Sequence, residues 1–207
     1  MPTDLRHDHL LTSAHLTFLT NGFEGTSMQR VAERAGVTKP VLYAFFGSKE
    51  ELFAAVIDRI GEEMSERLQV ATDDPTASRL GPGIRSYLAD IQEHGTLLGP
   101  MLSPTHHSAV AEAVRRLQHR QVELIVDSLR RGHRAAGLEP DDREVEALAH
   151  LVMGAVHSVG RWWGHHPEIT LDEAAAFLEA ALAPTLVALR SVTRDASWFA
   201  APDPAAG

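Results

Sequence analysis

Between Gly25 and Lys49 the chain reads GTSMQRVAERAGVTKPVLYAFFGSK, and its punctuation constrains it to two short helices, a tight turn and the capped start of a third. Thr26 or Ser27 can cap a first helix near Met28 to Ala35, and Thr26 with Gln29 fits a capping box. Gly36 stands where that helix must stop, at a position that favours positive φ. Val37 follows as an apolar plug. Thr38 can cap a second helix with Pro40 in its first turn, where a missing N–H costs little. Ser48 can cap a third, and Glu51 three residues on completes another box. Two helices joined through such a turn form a helix-turn-helix, whose second helix normally enters the DNA major groove.

Charge alone would not suggest DNA. The net charge is −9 over 207 residues. It is unevenly spread: residues 1–60 hold six basic and seven acidic residues, so most of the acidity lies beyond them. Within 25–49, Arg30, Arg34, Lys39 and Lys49 stand against Glu33 alone. The two lysines of the chain are both here, each at the start of an expected helix, where an ammonium suits a phosphate. Apolar content of 44% can build a core, and the lack of cysteine excludes disulfides and thiolate metal sites. No apolar run approaches the roughly 18 residues of a membrane span. The start, MPTDLRHDHLL, carries acidic residues and no apolar signal core, so a cytoplasmic protein without membrane contact is expected.

The remaining pattern is helical, without sustained two-residue alternation. A first helix is expected over Asp4 to Thr20, ended by Asn21-Gly22, and a fourth from Ser48 to about Ala71, broken by Asp73-Asp74-Pro75. A fifth is expected from Leu80 or Ile84 to His94. The stretch GTLLGPMLSPTHH, with two glycines and two prolines, should interrupt it. Long helices are expected over Ser108 to Ala136, stopping at Gly137, and from Asp141 or Asp142 to about His165. A last one is capped by Thr170 with Glu173 and contains Pro184. The fold class is all-α. Residues 1–50 are expected to form a three-helix domain around the helix-turn-helix, 51–196 a larger helical domain, and 197–207 a tail expected to be disordered.

Gly22-Phe23, Gly25-Thr26-Ser27, Val31-Ala32, Ala35-Gly36-Val37, Leu42-Tyr43, Phe46 and Ser48-Lys49-Glu50-Glu51-Leu52 stand in the order and register of a known pattern. Over residues 5–60 the chain resembles the tetracycline-repressor (TetR) family of bacterial regulators. Beyond residue 75 the likeness is architectural. The resemblance implies a homodimer on an inverted-repeat operator in double-stranded DNA, paired through the last two long helices. It also implies repression relieved when a small molecule moves the fourth helix.

The residues refine this. Thr26, Ser27, Gln29, Thr38, Lys39, Pro40, Val41, Tyr43 and Lys49 are the candidates for DNA contact. Lys39 suits guanine O6/N7, and Pro40 and Val41 offer only apolar contact. By the family analogy Tyr43 reaches a phosphate. Ala44 and Phe45 leave few polar side chains for base readout. For the dimer, Val145, Leu148, Val152, Ala155, Val159 and Trp162 form one stripe. Ala147, Leu151, Gly154 and Ser158 form a small-residue stripe beside it, and Phe177, Leu178, Ala181, Leu182, Thr185 and Leu189 answer on the last helix. Met101, Leu102, Met153, His157, Trp162, Trp163 and Phe177 are candidates to line a pocket for a hydrophobic or amphipathic effector, with ordinary core packing the alternative for each. The pairs His106-His107 and His165-His166, and His150 with His157, lack a metal-motif spacing, so neither metal nor cofactor is expected. Nothing marks an enzyme. The alternative function is a DNA-binding protein of the same fold whose C-terminal domain binds a protein rather than a small ligand.

Overall fold

A computed structural model describes residues 3–73, 80–102, 108–135, 137, 139 and 141–192. Eight helices follow one another among them: α1 (Thr3–Gly25), α2 (Met28–Arg34), α3 (Lys39–Phe45), α4 (Lys49–Asp73), α5 (Gly81–Leu102), α6 (Ser108–Ala135), α7 (Asp142–Trp163) and α8 (Leu171–Val192). The all-α expectation holds. The tail from Ser197, the histidine pair 106–107 and most of the link after Asp73 lie outside the described residues.

The chain divides into two compact units. One comprises Met1–Glu66 with Asp90–Arg120, the other Arg67–Ala89 with Gln121–Gly207. In the first, Leu10, Ala14 and Phe18 of α1 are buried, as are Leu52, Phe53, Val56 and Ile57 of α4. The Phe18 and Phe53 rings meet edge to face at 4.8 Å, and Phe23 lies 5.0 Å from Phe53. Such pairs add roughly 0.5–1.5 kcal/mol to their area burial. Asp58 of α4 takes a two-pronged contact from Arg116 of α6, Nε at 3.1 Å and Nη2 at 2.6 Å. In the second unit α7 buries Val145, Ala149, Val152, Met153, Val156 and Trp163. Ala174, Leu178, Leu182 and Leu186 of α8 are buried too.

Helix ends follow local chemistry closely. The Glu173 carboxylate accepts from Thr170 N at 2.9 Å and Thr170 Oγ1 accepts from Glu173 N at 3.2 Å, a complete capping box. The Thr170 backbone N–H first, and the Thr170 hydroxyl donating to the same carboxylate oxygen at 2.8 Å second, hold the Glu173 carboxyl below its ordinary value. At α4 the box is displaced by one residue. Ser48 Oγ accepts from Glu51 N, but Glu51 Oε2 accepts from Gly47 N instead of from Ser48. Gly22 breaks α1 with φ 68° and ψ 177°, so the expected stop at Asn21-Gly22 appears as a kink.

One boundary differs substantially. α5 does not stop at His94 but continues through Gly95, Gly99 and Pro100 to Leu102. Leu97 is fully buried, and anchoring of this kind outweighs the intrinsic cost of glycine in a helix, about 1 kcal/mol each. On α7 the expected dimer stripe also divides. Val145 and Val152 belong to the chain's own core, whereas Ala147, Leu151, Gly154, Ser158 and Trp162 are exposed.

Two half-sheltered histidines connect this packing to pH. Burial holds both His15 and His157 below the ordinary imidazole value of 6.5, with His94 and Arg59 adding to the effect at His15 and Arg161 at His157. The folded chain therefore resists protonating them, while the unfolded chain does not. Their contribution is complete above about pH 6.5 and is lost as pH falls from there through the folded values. Urea denaturation should show stability declining between pH 7 and pH 5, and His157→Gln should flatten part of that decline.

Candidate nucleic-acid interface

The α2–turn–α3 unit is assembled by backbone conformation and two anchoring side chains. Ser27, extended at φ −122° and ψ 152°, caps α2, its Oγ accepting from Arg30 N at 3.3 Å. Gly36 turns the chain at φ 65°, a left-handed conformation that a Cβ would strain. Val37 N then donates back to Ala32 O at 3.0 Å, which closes the turn. His9 of α1 reaches across to the Ala35 carbonyl at 3.0 Å. Thr38 is extended ahead of α3 with Pro40 in the first turn, but its side chain makes no capping hydrogen bond.

Leu42 and Phe46 are buried, and their burial sets the rotation of α3. Thr38, Lys39, Pro40, Tyr43 and Ala44 are exposed as a result, with Val41 half-buried. Lys39 Nζ stands 5.7 Å from the centre of the Tyr43 ring, so a cation and a phenol share one outward patch. Arg30 lies at the α1–α2 corner, donating to Asn21 Oδ1 at 2.8 Å and Gly25 O at 3.2 Å.

Three candidates look different from their sequence reading. Thr26 is buried, and its hydroxyl donates inward to Gly22 O at 2.8 Å, so it neither caps α2 nor presents a donor to the surface. Gln29 closes no box with Thr26. It is exposed and donates to Glu33 Oε1 at 2.8 Å. Lys49 is a tie: Nζ donates to Phe23 O at 3.0 Å and Thr26 O at 3.3 Å and lies 4.2 Å from the Phe23 ring centre. Two of its three N–H groups are committed inside the chain. No local signal could have shown this, because the carbonyls lie 23 and 26 residues upstream.

The expected pocket set disperses. Met153 is buried, and Trp163 is buried with its indole N–H on Ile169 O at 2.8 Å. His157 sits 5.3 Å from the ring of Tyr87, a neighbour that sequence spacing did not reveal, and its Nε2 is buried without a hydrogen-bond partner. Trp162 (50% exposed) and Phe177 (62% exposed) stand on the surface, Trp162 stacked on His166 at 4.3 Å. The side chains of Met101 and Leu102 lie outside the described residues.

A short helix seated by two apolar side chains, presenting its N-terminal half outward behind a positive-φ turn, defines a helix-turn-helix protein. Residues 10–56 match the model of the tetR family of bacterial regulatory proteins. A TetR-like transcriptional regulator from Rhodococcus sp. RHA1 is 30% identical, over 90% of this chain and 98% of that one, with a TM-score of 0.64. The chain belongs to the TetR family. The transcriptional activator FasR of Mycolicibacterium smegmatis is 36% identical over 98 residues, and the match spans 43% of that relative's length. The fold is shared with FadR of Bacillus subtilis, solved in complex with stearoyl-CoA, at 14% identity and a TM-score of 0.68 over 85% of this chain and 95% of that one. No described helix is long and apolar enough to cross a membrane.

Lys39 and Lys49 should separate in a stability measurement. Lys39→Ala removes an exposed side chain and should leave stability within about 0.5 kcal/mol. Lys49→Ala leaves two carbonyls without their charged donor and should cost about 1.5–3 kcal/mol. Chemical denaturation of both variants checks this, and equal losses would remove the structural role of Lys49.

Proposed function

We propose that this chain is a homodimeric, ligand-responsive transcriptional regulator that works in the cytoplasm as a repressor and leaves its operator when a small hydrophobic or amphipathic molecule binds. The observation that carries the reading is the outward face of α3. Thr38, Lys39, Pro40 and Tyr43 are exposed together at the end of a helix-turn-helix that normally meets base edges. In this reading residues 1–50 hold the DNA, and 51–196 serve the effector and the dimer. Lys39 reads a base or neighbouring phosphate, Tyr43 clamps backbone, and Ser27 and Gln29 lie at the flank. Lys49 keeps one N–H for a phosphate while its other two hold the corner.

The effector is best placed in the second unit, beside His157 and Tyr87. A buried imidazole nitrogen without a hydrogen-bond partner, beside the Tyr87 ring, suits an amphipathic molecule whose polar end seeks a partner. The B. subtilis FadR of the same fold was solved with stearoyl-CoA, an amphipathic molecule, which supports this reading. A ligand that lowers DNA affinity must itself bind more weakly when operator is present, by the same factor.

Two tests follow. In a salt-dependent titration on operator and scrambled duplexes, Lys39→Ala should lose roughly 1–3 kcal/mol on operator and relax preference at one position per half-site. Tyr43→Phe should weaken both duplexes alike. If both variants bind operator as tightly as wild type, the α3 face does not read DNA. The dimer has its own measurement. Leu151 (46% exposed) and Phe177 lie on exposed faces of α7 and α8, so Leu151→Glu should raise the dimer Kd roughly thirtyfold, about 2 kcal/mol, in sedimentation equilibrium. Val152→Glu would test the chain's own core instead. An unchanged Kd for Leu151→Glu and Phe177→Glu would remove α7 and α8 as the interface.

A further inference from the structure

We propose that Asp90, Glu93 and His94 on α5 bind a divalent first-row transition cation, with Zn2+ the best-fitting class. The three positions recur at three and four residues, which places them on one helix face. One donor atom from each lies within 4.8 Å of the other two. His94 Nε2 is 3.7 Å from a Glu93 carboxylate oxygen.

The second observation concerns the imidazole itself. His94 is 2% exposed, yet neither of its ring nitrogens has a hydrogen-bond partner. Buried polar atoms are almost always paired, so a histidine sealed off with both nitrogens unmet requires a reason. A cation at the carboxylates would meet one of the two nitrogens by accepting its lone pair. The chemistry of the donors selects the ion. One imidazole and two carboxylates, with no sulfur, suit zinc and its neighbours. Magnesium and calcium prefer all-oxygen sets. Three protein ligands leave a fourth position open to water or to a ligand.

His15 of α1 lies beside the cluster, its ring centre 5.2 Å from that of His94, but it is not a fourth ligand. Arg59 Nη2 is 3.2 Å from His15 Nδ1, and a guanidinium can only donate. Nδ1 therefore accepts, and Nε2 keeps its hydrogen. That N–H is also buried without a partner, a donor suited to a ligating carboxylate or a metal-bound water.

The test is a Zn2+ titration of the chelator-stripped chain by calorimetry, with Co2+ as a spectroscopic probe. One saturable site is expected, with visible Co2+ absorption typical of nitrogen and oxygen ligands. Glu93→Gln alters a largely exposed side chain and should keep the fold. It should weaken Zn2+ by about tenfold or more. His94→Gln should do the same, and Glu66→Gln should bind as wild type. If His94→Gln does not fold, Glu93→Gln decides alone. Unchanged affinity in Glu93→Gln, absence of saturable Zn2+ binding, or displacement of Zn2+ by Mg2+ would each overturn the proposal.

Discussion

Burial of Leu42 and Phe46 is the constraint on which the DNA-facing surface depends. A seven-residue helix has almost no stability of its own, because the cost of nucleating it is recovered over too few hydrogen bonds. α3 persists because those two side chains are inserted into the first unit, with the His7 ring against Phe45 and Phe46 at 6.3 and 5.2 Å. Fixing two positions on a helix of this length fixes its rotation. The outward placement of Lys39, Pro40 and Tyr43 follows from the packing beneath.

Features that were legible in the sequence are those whose cause is local. Gly36 needs positive φ, Thr170 and Glu173 need only each other, and Asp141 caps α7 through its own Oδ1 on Arg143 and Glu144 N. Causes set by backbone conformation or by distant residues stayed hidden. Thr26 looks like a cap by spacing, yet the kink at Gly22 brings a carbonyl to its hydroxyl. α5 runs past two glycines and a proline and buries Leu97, a burial that the glycine- and proline-rich stretch does not announce. On α7 both apolar stripes were visible. Which one faces the chain's own core is a matter of rotation that spacing cannot decide, and Val152 and Leu151 fall on opposite answers.

The histidines illustrate the same division. Adjacent pairs are conspicuous in one dimension, although neighbouring side chains on a helix diverge. Asp90 and His94 are less conspicuous, and their interest lies in burial, which no count of histidines reveals. His15 joins them from α1, nearly eighty residues upstream.

Lys49 is the first residue of α4, and its ammonium grips two carbonyls at the corner between α1 and α2. The short link after α3 is therefore not the sole mechanical joint between α4 and the residues before it. A displacement of the leading end of α4 is delivered to that corner directly, through a charged clasp bypassing Phe46 to Ser48. The helix behaves as a lever pinned at its tip, and the α1–α2 corner must travel with it or the clasp must open.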